Sequence, residues 1–359
     1  MNRGSGIGNR PDARYAIHDT RGSVLIFSVW AIGLLTIFTV VIGRIAAGEL
    51  MFGSWVKNRV LLQGLAKAGI ERAQLEIESD KFIAFDALNE SWASNNDALA
   101  DRPLGVGQFS VECREGEAAS QPDAPPRYGA CDESARLNIN TASEANLVSL
   151  LKAVNPTLSD DKMTEIAEAI LDWRDKDDAV MTHGAEASYY KVQPNPYELR
   201  NDNFVAVEEL LMVKGIDRAI FEKIKPYVTV YTAGAVNFNT AGLVVLQALG
   251  LSPELAAKVI EYRAGPDRKE GTEDDKFFQD TGGITPSLSA AMSFSSEEYA
   301  QISNAASQGI VAVKSDAFRI HSIGRLIKDG KKKENGVIES SVTCVVNRKG
   351  EILFWQEGE

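Results

Sequence analysis

The sequence predicts an α+β protein: one long N-terminal helix packed on a small antiparallel sheet, with a large all-helical insertion. Three observations lead there. An uncharged run from Ser23 to Ile42 continues into an amphipathic period that ends near Glu78, most simply one helix, the alternative being two helices joined near Gly48–Gly53. Strand-like alternation occurs at Gln108 to Glu112 and again through the last fifty residues. Between these, Thr141 to about Gln308 reads as helices and loops and contains a repeat. The expected division is therefore 1–22 as a leader and 23–78 as the helix, with 79–136 and 310–359 forming an α/β domain around an insertion at 137–309.

The apolar run, SVLIFSVWAIGLLTIFTVVI, is long enough to cross a bilayer: twenty helical residues span roughly 30 Å. A plain signal-anchor accounts for it on hydropathy alone. A cleaved secretory signal fits less well, because the run is too long and no small-x-small site closes it. Arg3, Arg10, Arg14 and Arg21 outnumber Asp12 and Asp19 ahead of it, which favours a cytoplasmic N-terminus, with the rest of the chain on the other side of the membrane. Beyond Arg44 the period continues through Leu62, Ala66, Gly69, Ala73 and Ile77, with Lys57, Gln63, Lys67, Glu71 and Glu78 on other faces.

Composition narrows the function. With 359 residues, 44% hydrophobic and 25% charged, the chain beyond the helix is long enough for two globular domains. A net charge of −12 opposes general nucleic-acid binding, which needs basic groups to replace phosphate counterions. Acidity suits capture of divalent cations and equally suits simple solubility. Cys113, Cys131 and Cys344 lack metal-ligand spacing. In an oxidising compartment Cys113 and Cys131 could close a loop of about 18 residues, worth about 3 kcal/mol; two buried thiols are the other reading. No nucleophile–base pair, phosphate loop or redox motif is present, so no enzyme is expected.

Strand signals precede Asn138 and recur at Phe318 to Gly324, Val337 to Val346 and Ile352 to Trp355, a three-stranded meander turned by the charged stretch Lys328 to Gly336 and by Asn347 to Gly350. In the insertion, Leu137-Asn138-Ile139-Asn140-Thr141-Ala142 returns as Val236-Asn237-Phe238-Asn239-Thr240-Ala241. Each copy leads into a leucine-bearing helix and then a second helix ending in an aromatic–arginine pair, Trp173-Arg174 or Tyr262-Arg263. Asn140 and Asn239, or the threonines after them, are expected to cap the next helix. A third hairpin, Val207 to Tyr227, turns at Val213-Lys214-Gly215-Ile216-Asp217.

These copies resemble helix-hairpin-helix/SAM-like repeats, including those of membrane-anchored DNA-binding proteins of competence or type IV pilus systems. Such hairpins present backbone amides to phosphate between two glycines. Here Ala153 to Thr157 has no glycine, Gly250-Leu251-Ser252 has one, and Gly215-Ile216-Asp217 sets a carboxylate where phosphate would lie. No nucleic-acid partner is expected.

Two acidic stretches are the ligand candidates. One is Asp172-Trp173-Arg174-Asp175-Lys176-Asp177-Asp178 with His183-Gly184-Ala185-Glu186; the other is Asp267 to Asp275. Carboxylates interrupted by glycine suit a hard cation with six to eight oxygen ligands, and neither stretch fits an EF-hand. Solvated acidic loops are the alternative.

Two resemblances then combine. Gly22 directly before the apolar run resembles the class III leader of type IV pilin-like proteins, which implies cleavage between Gly22 and Ser23 by prepilin peptidase. The fifth position after that point is Phe27, where most pilins carry glutamate. That departure, Trp173-Arg174-Asp175-x-Asp177-Asp178, Gly184-Ala185-Glu186-x-x-Tyr189-Tyr190, Pro194 to Tyr197, Glu208 to Ile216 and the paired N-x-N-T-A motifs together resemble the minor pseudopilin K family (GspK) of type II secretion systems. The resemblance implies a pilin-like domain with a helical insertion and a place at the tip of a periplasmic pseudopilus. It implies minor pseudopilins I and J as partners. It also implies structural calcium on Asp175, Asp177, Asp178 and Glu186, and on Asp267, Thr272, Asp274 and Asp275.

Overall fold

The computed structural model describes residues 21–80, 84–114, 125–307, 309–326 and 338–358, with only the backbone described at 21–23. Residues 1–20 of the predicted leader (1–22) and the charged stretch Lys328 to Gly336 lie outside them, and Gly22 and Ser23 are described only as helical backbone. By its contacts the chain forms two units, which meet between Asn58 and Arg59. The first unit holds the apolar part of one continuous helix, α1 (Arg21–Glu78), whose side chains from Val24 to Lys57 are all exposed. The helix is long and apolar enough to cross a membrane.

In the second unit, the remainder of α1 turns inward the stripe read from the sequence. Leu62, Ala66, Ile70, Ala73 and Ile77 are buried; the last four share a core with Phe109, Val111, Phe318, Ile320, Val342 and Val346. Gly69 is needed there, because a Cβ on it would stand 2.1 Å from Ser322 Oγ. Gly324 answers it from the sheet, 2.4 Å from Leu62 O by the same measure. Helix and sheet thus approach until only hydrogen fits between them.

A short α2 (Asn96–Leu99) leads to β1 (Arg102–Leu104), β2 (Gly107–Cys113), β3 (Arg127–Tyr128), β4 (Cys131–Asp132) and β5 (Leu137–Asn138). The insertion carries α3 (Glu144–Val154), α4 (Asp160–Arg174), α5 (Ala187–Tyr190) and α6 (Arg218–Ile224). Next come β6 (Val228–Thr229), β7 (Val236–Asn237), α7 (Leu243–Ala248), α8 (Pro253–Arg263), α9 (Ile284–Ala291) and α10 (Ser296–Ser307). Then β8 (Val311–Ala312) precedes β9 (Ala317–Leu326), β10 (Glu339–Asn347) and β11 (Ile352–Glu357). The sheet runs β1-β2-β9-β10-β11, with β3 paired to β2 and β4 to β9, all antiparallel. The three-stranded meander is its C-terminal part: Cys344 faces Ile320 on one side and Trp355 on the other. Cys113 and Cys131 are disulfide-bonded, and Cys344 is free and buried.

Two features depart from the sequence reading. The insertion is not wholly helical: β5 pairs in parallel with β6, and β7 with β8. The sequence signals a strand ending near Asn138, where β5 lies, but β6, β7 and β8 are two residues each and too short to show periodicity. The motif asparagines do not cap helices. Ser143 caps α3 in a capping box with Asn146, and Gly242 precedes α7 without a side-chain cap. Asn140 instead pairs with the backbone of Phe204, accepting from its N–H (2.8 Å) and donating to its carbonyl (3.0 Å). Asn239 does the same with Phe278, at 2.8 and 2.9 Å.

Candidate cation centre in the helical insertion

The repeat frames both acidic loops in the same way. Arg174, at the end of α4, donates to the carbonyls of Ile139 and Ala142; Arg263, at the end of α8, donates to those of Phe238 and Ala241. The aromatic residue before each arginine stacks on the phenylalanine held by the motif asparagine, Trp173 on Phe204 and Tyr262 on Phe278. Each acidic loop therefore leaves an arginine tied to the motif and returns through a phenylalanine clipped to the same motif. Both loop ends are fixed on one rigid turn.

Within that frame the two loops differ. In the first, one oxygen each from Asp172, Asp175 and Glu186 lies within 4.8 Å of the other two. Asp172 is fully buried on the last turn of α4, Asp175 is its C-cap, and buried Glu186 begins α5. Met181 N–H donates to both oxygens of Asp172, at 3.3 and 3.2 Å. A Cβ on Gly184 would stand 2.0 Å from Asp172 Oδ2, so only glycine lets the loop close on this carboxylate. Both oxygens of Glu186 and Oδ1 of Asp175 are buried without a hydrogen-bond partner.

The electrostatics are dominated by the carboxylates, with the charge of Arg174 opposing them only at Asp175. Burial, then the charges of Asp172 and Asp175, push Glu186 up to about 7. Burial also raises Asp172 and Asp175. Among the described residues no lysine or arginine forms an ion pair with any of the three. Buried carboxylate oxygens without a hydrogen-bond partner are costly, and a hard, oxygen-seeking cation is the group they fit.

Of the first predicted set, the structure brings Asp175 and Glu186 together and leaves Asp177 and Asp178 outside. Both are exposed; Asp177 accepts from Ala179 N–H and Asp178 from Asn201 Nδ2. The second set forms no comparable group among the described residues. Asp267 Oδ1 accepts from Lys269 N–H, while Asp274 takes Asp267 N–H and the Thr272 hydroxyl. Asp275 accepts from Gly271 N–H at 2.6 Å. These carboxylates satisfy the loop's own donors. The residue missed was Asp172. Its signal was its position three residues before Asp175, which puts both at one helix end; the repeat's counterpart, Glu261, is exposed and pairs with Arg268.

In the third hairpin a carboxylate takes the helix N–H that a phosphate would need. Gly215 adopts φ +85°, as such turns require, but Asp217 caps α6 by accepting from Ile220 N–H at 2.8 Å.

Residues 132–233 match the family model described as type II secretion system (T2SS), protein K. Over 92 residues the chain is 33% identical to type II secretion system protein K of Pectobacterium carotovorum subsp. carotovorum, covering 26% of this chain and 28% of that protein. Over 106 residues it is 31% identical to its Aeromonas hydrophila namesake, covering 29% of each. The aligned parts thus span under a third of these relatives' length. A chain in the crystal structure of the GspK–GspI–GspJ complex from enterotoxigenic Escherichia coli shares the fold, with a TM-score of 0.58 and 19% identity over 87% of this chain and 99% of that one. The similarity to the type II secretion system protein K family thus lies in residues 132–233.

Proposed function

We propose that the chain is a minor pseudopilin of a type II secretion system that acts at the tip of the periplasmic pseudopilus and primes its assembly. The observation that carries this reading is the match of residues 132–233, which contain the candidate cation centre, to the protein K family. The remaining parts fit it. α1 supplies a single apolar span for the inner membrane, with the N-terminus cytoplasmic, and a cleavage point for prepilin peptidase between Gly22 and Ser23. Phe27 presents no carboxylate to a neighbouring subunit, and the insertion would crowd any subunit stacked above it. Calcium on Asp172, Asp175 and Glu186 would order the 175–203 loop. The role is structural, and the partners are the I- and J-type minor pseudopilins.

The helix-hairpin-helix DNA-binding reading is not favoured, with Asp217 at the hairpin and a net charge of −12. Co-expression of the full chain with its cognate I and J proteins, followed by detergent extraction and size exclusion, tests the proposal. A single ternary peak is expected; three separate peaks would reject it.

A further inference from the structure

A second carboxylate group lies where α1 ends. The chain leaves the helix at Glu78 and passes through Asp80 to the segment bearing Asp86 and Glu90. One oxygen from each of these three residues lies within 4.8 Å of the other two. Asp86 is fully buried, the Asp80 side chain is 4% exposed and Glu90 is 8% exposed.

Most of the oxygens have assigned donors. Arg348 pairs closely with Asp86 and reaches Asp80 Oδ2 at 3.4 Å. Ser315 N–H donates to Asp86 Oδ2 at 2.7 Å. Glu90 Oε2 accepts from Ala87 N–H (2.9 Å) and Trp92 Nε1 (2.8 Å). Glu90 Oε1 is buried and has no hydrogen-bond partner. The C-terminal end of α1 adds the negative pole of its dipole.

We propose that Asp80, Asp86 and Glu90 form a divalent-cation site separate from the one in the insertion, with Glu90 Oε1 as the oxygen left for the ion. A set of carboxylate oxygens selects a hard cation of the calcium or magnesium class. The ion would pin the end of α1 to the sheet half, since Asp86 N–H already donates to Val313 O and Arg348 follows β10. Burial, then Asp80 and Asp86, push Glu90 up to about 7, so a proton is the competing occupant and cation binding should weaken below neutral pH.

The test uses the full chain in detergent with terbium as the probe, because the Trp92 indole touches Glu90 and would sensitise terbium emission there. Trp173 adjoins the insertion site, so Glu186→Gln first removes that contribution. E186Q should retain a saturable, calcium-displaceable signal, and E186Q/E90Q should bind terbium at least tenfold more weakly. The substituted amide keeps an acceptor for Ala87 and Trp92, and Asp80→Asn in the E186Q background is a second variant with the same expected loss. Complete loss of signal in E186Q, or unchanged affinity after either added substitution, would overturn the proposal.

Discussion

Glu186 has two buried oxygens and nothing to bond them, and this sets the behaviour of the candidate centre at the scale of single residues. A cation that binds only the folded chain raises stability by about 2.7 kcal/mol at one hundred times its Kd. Calcium should therefore raise the thermal midpoint of the wild type more than that of Glu186→Gln, in which only the Asp80, Asp86 and Glu90 group remains to bind it; an equal rise in both would mean that Glu186 holds no ion. The pH dependence follows from the raised pKa. Glu186 titrates near 7 when folded and near 4.5 when unfolded, so the folded state holds more protons between these values. Chelated protein should lose stability as pH rises from about 4.5 to 7. E186Q should show a shallower loss in a chelator melt series. Glu90 adds a slope of the same sign, which is why the comparison is made against the variant.

At the scale of elements, the two halves of the repeat are alike in their clips and unlike in their contents. Asn140→Ala leaves the N–H and carbonyl of Phe204 unpaired, and Asn239→Ala does the same at Phe278. Each should cost about 1–3 kcal/mol in denaturant unfolding. Only N140A should also weaken calcium binding in a direct titration, because only the first loop gathers unpartnered carboxylates. Equal weakening by N239A would mean that the second loop holds the ion. The recurrence of N-x-N-T-A and of the aromatic–arginine pair was visible in the sequence. Their purpose was not, because Asn140 meets a residue 64 positions away and Asn239 one 39 positions away.

At the scale of the whole molecule, a buried ion pair within the α/β domain also takes a hydrogen bond from the insertion. Glu133 has no exposed surface; it pairs with Arg319 on β9 at 2.7 Å and accepts from Thr229 on β6 at 2.8 Å. Arg136 and Arg319 more than offset the cost of its burial and hold it down at about 2. That contribution is complete above the ordinary glutamate range and is lost as pH falls toward 2. Arg319→Met should destabilise by about 3 kcal/mol, read from urea unfolding, because a buried carboxylate then loses its principal partner. Nearby, Asn237, Thr240 and Ser315 all donate to Asp132 Oδ2, so the second motif copy is also bonded into the sheet half. On the proposal that prepilin peptidase cuts between Gly22 and Ser23, Phe27→Glu should leave that cleavage intact, read as the size shift on co-expression with the peptidase; an uncleaved variant beside a cleaved wild type would mean that this position takes part in processing and not in docking alone.

The sequence by itself determined the long helix, its buried stripe, the C-terminal meander, the repeat and the acidic loop that contains the candidate centre. All of these are written in local periodicity or in recurring short strings, which survive without knowledge of distant contacts. Only the tertiary structure decided which carboxylates meet. Asp172 joins Asp175 and Glu186 because α4 ends there and Gly184 admits the returning loop. Asp274 and Asp275 are equally acidic in sequence, yet they bond their own loop. The difference lies in burial and in the supply of donors, and neither can be read from the order of residues.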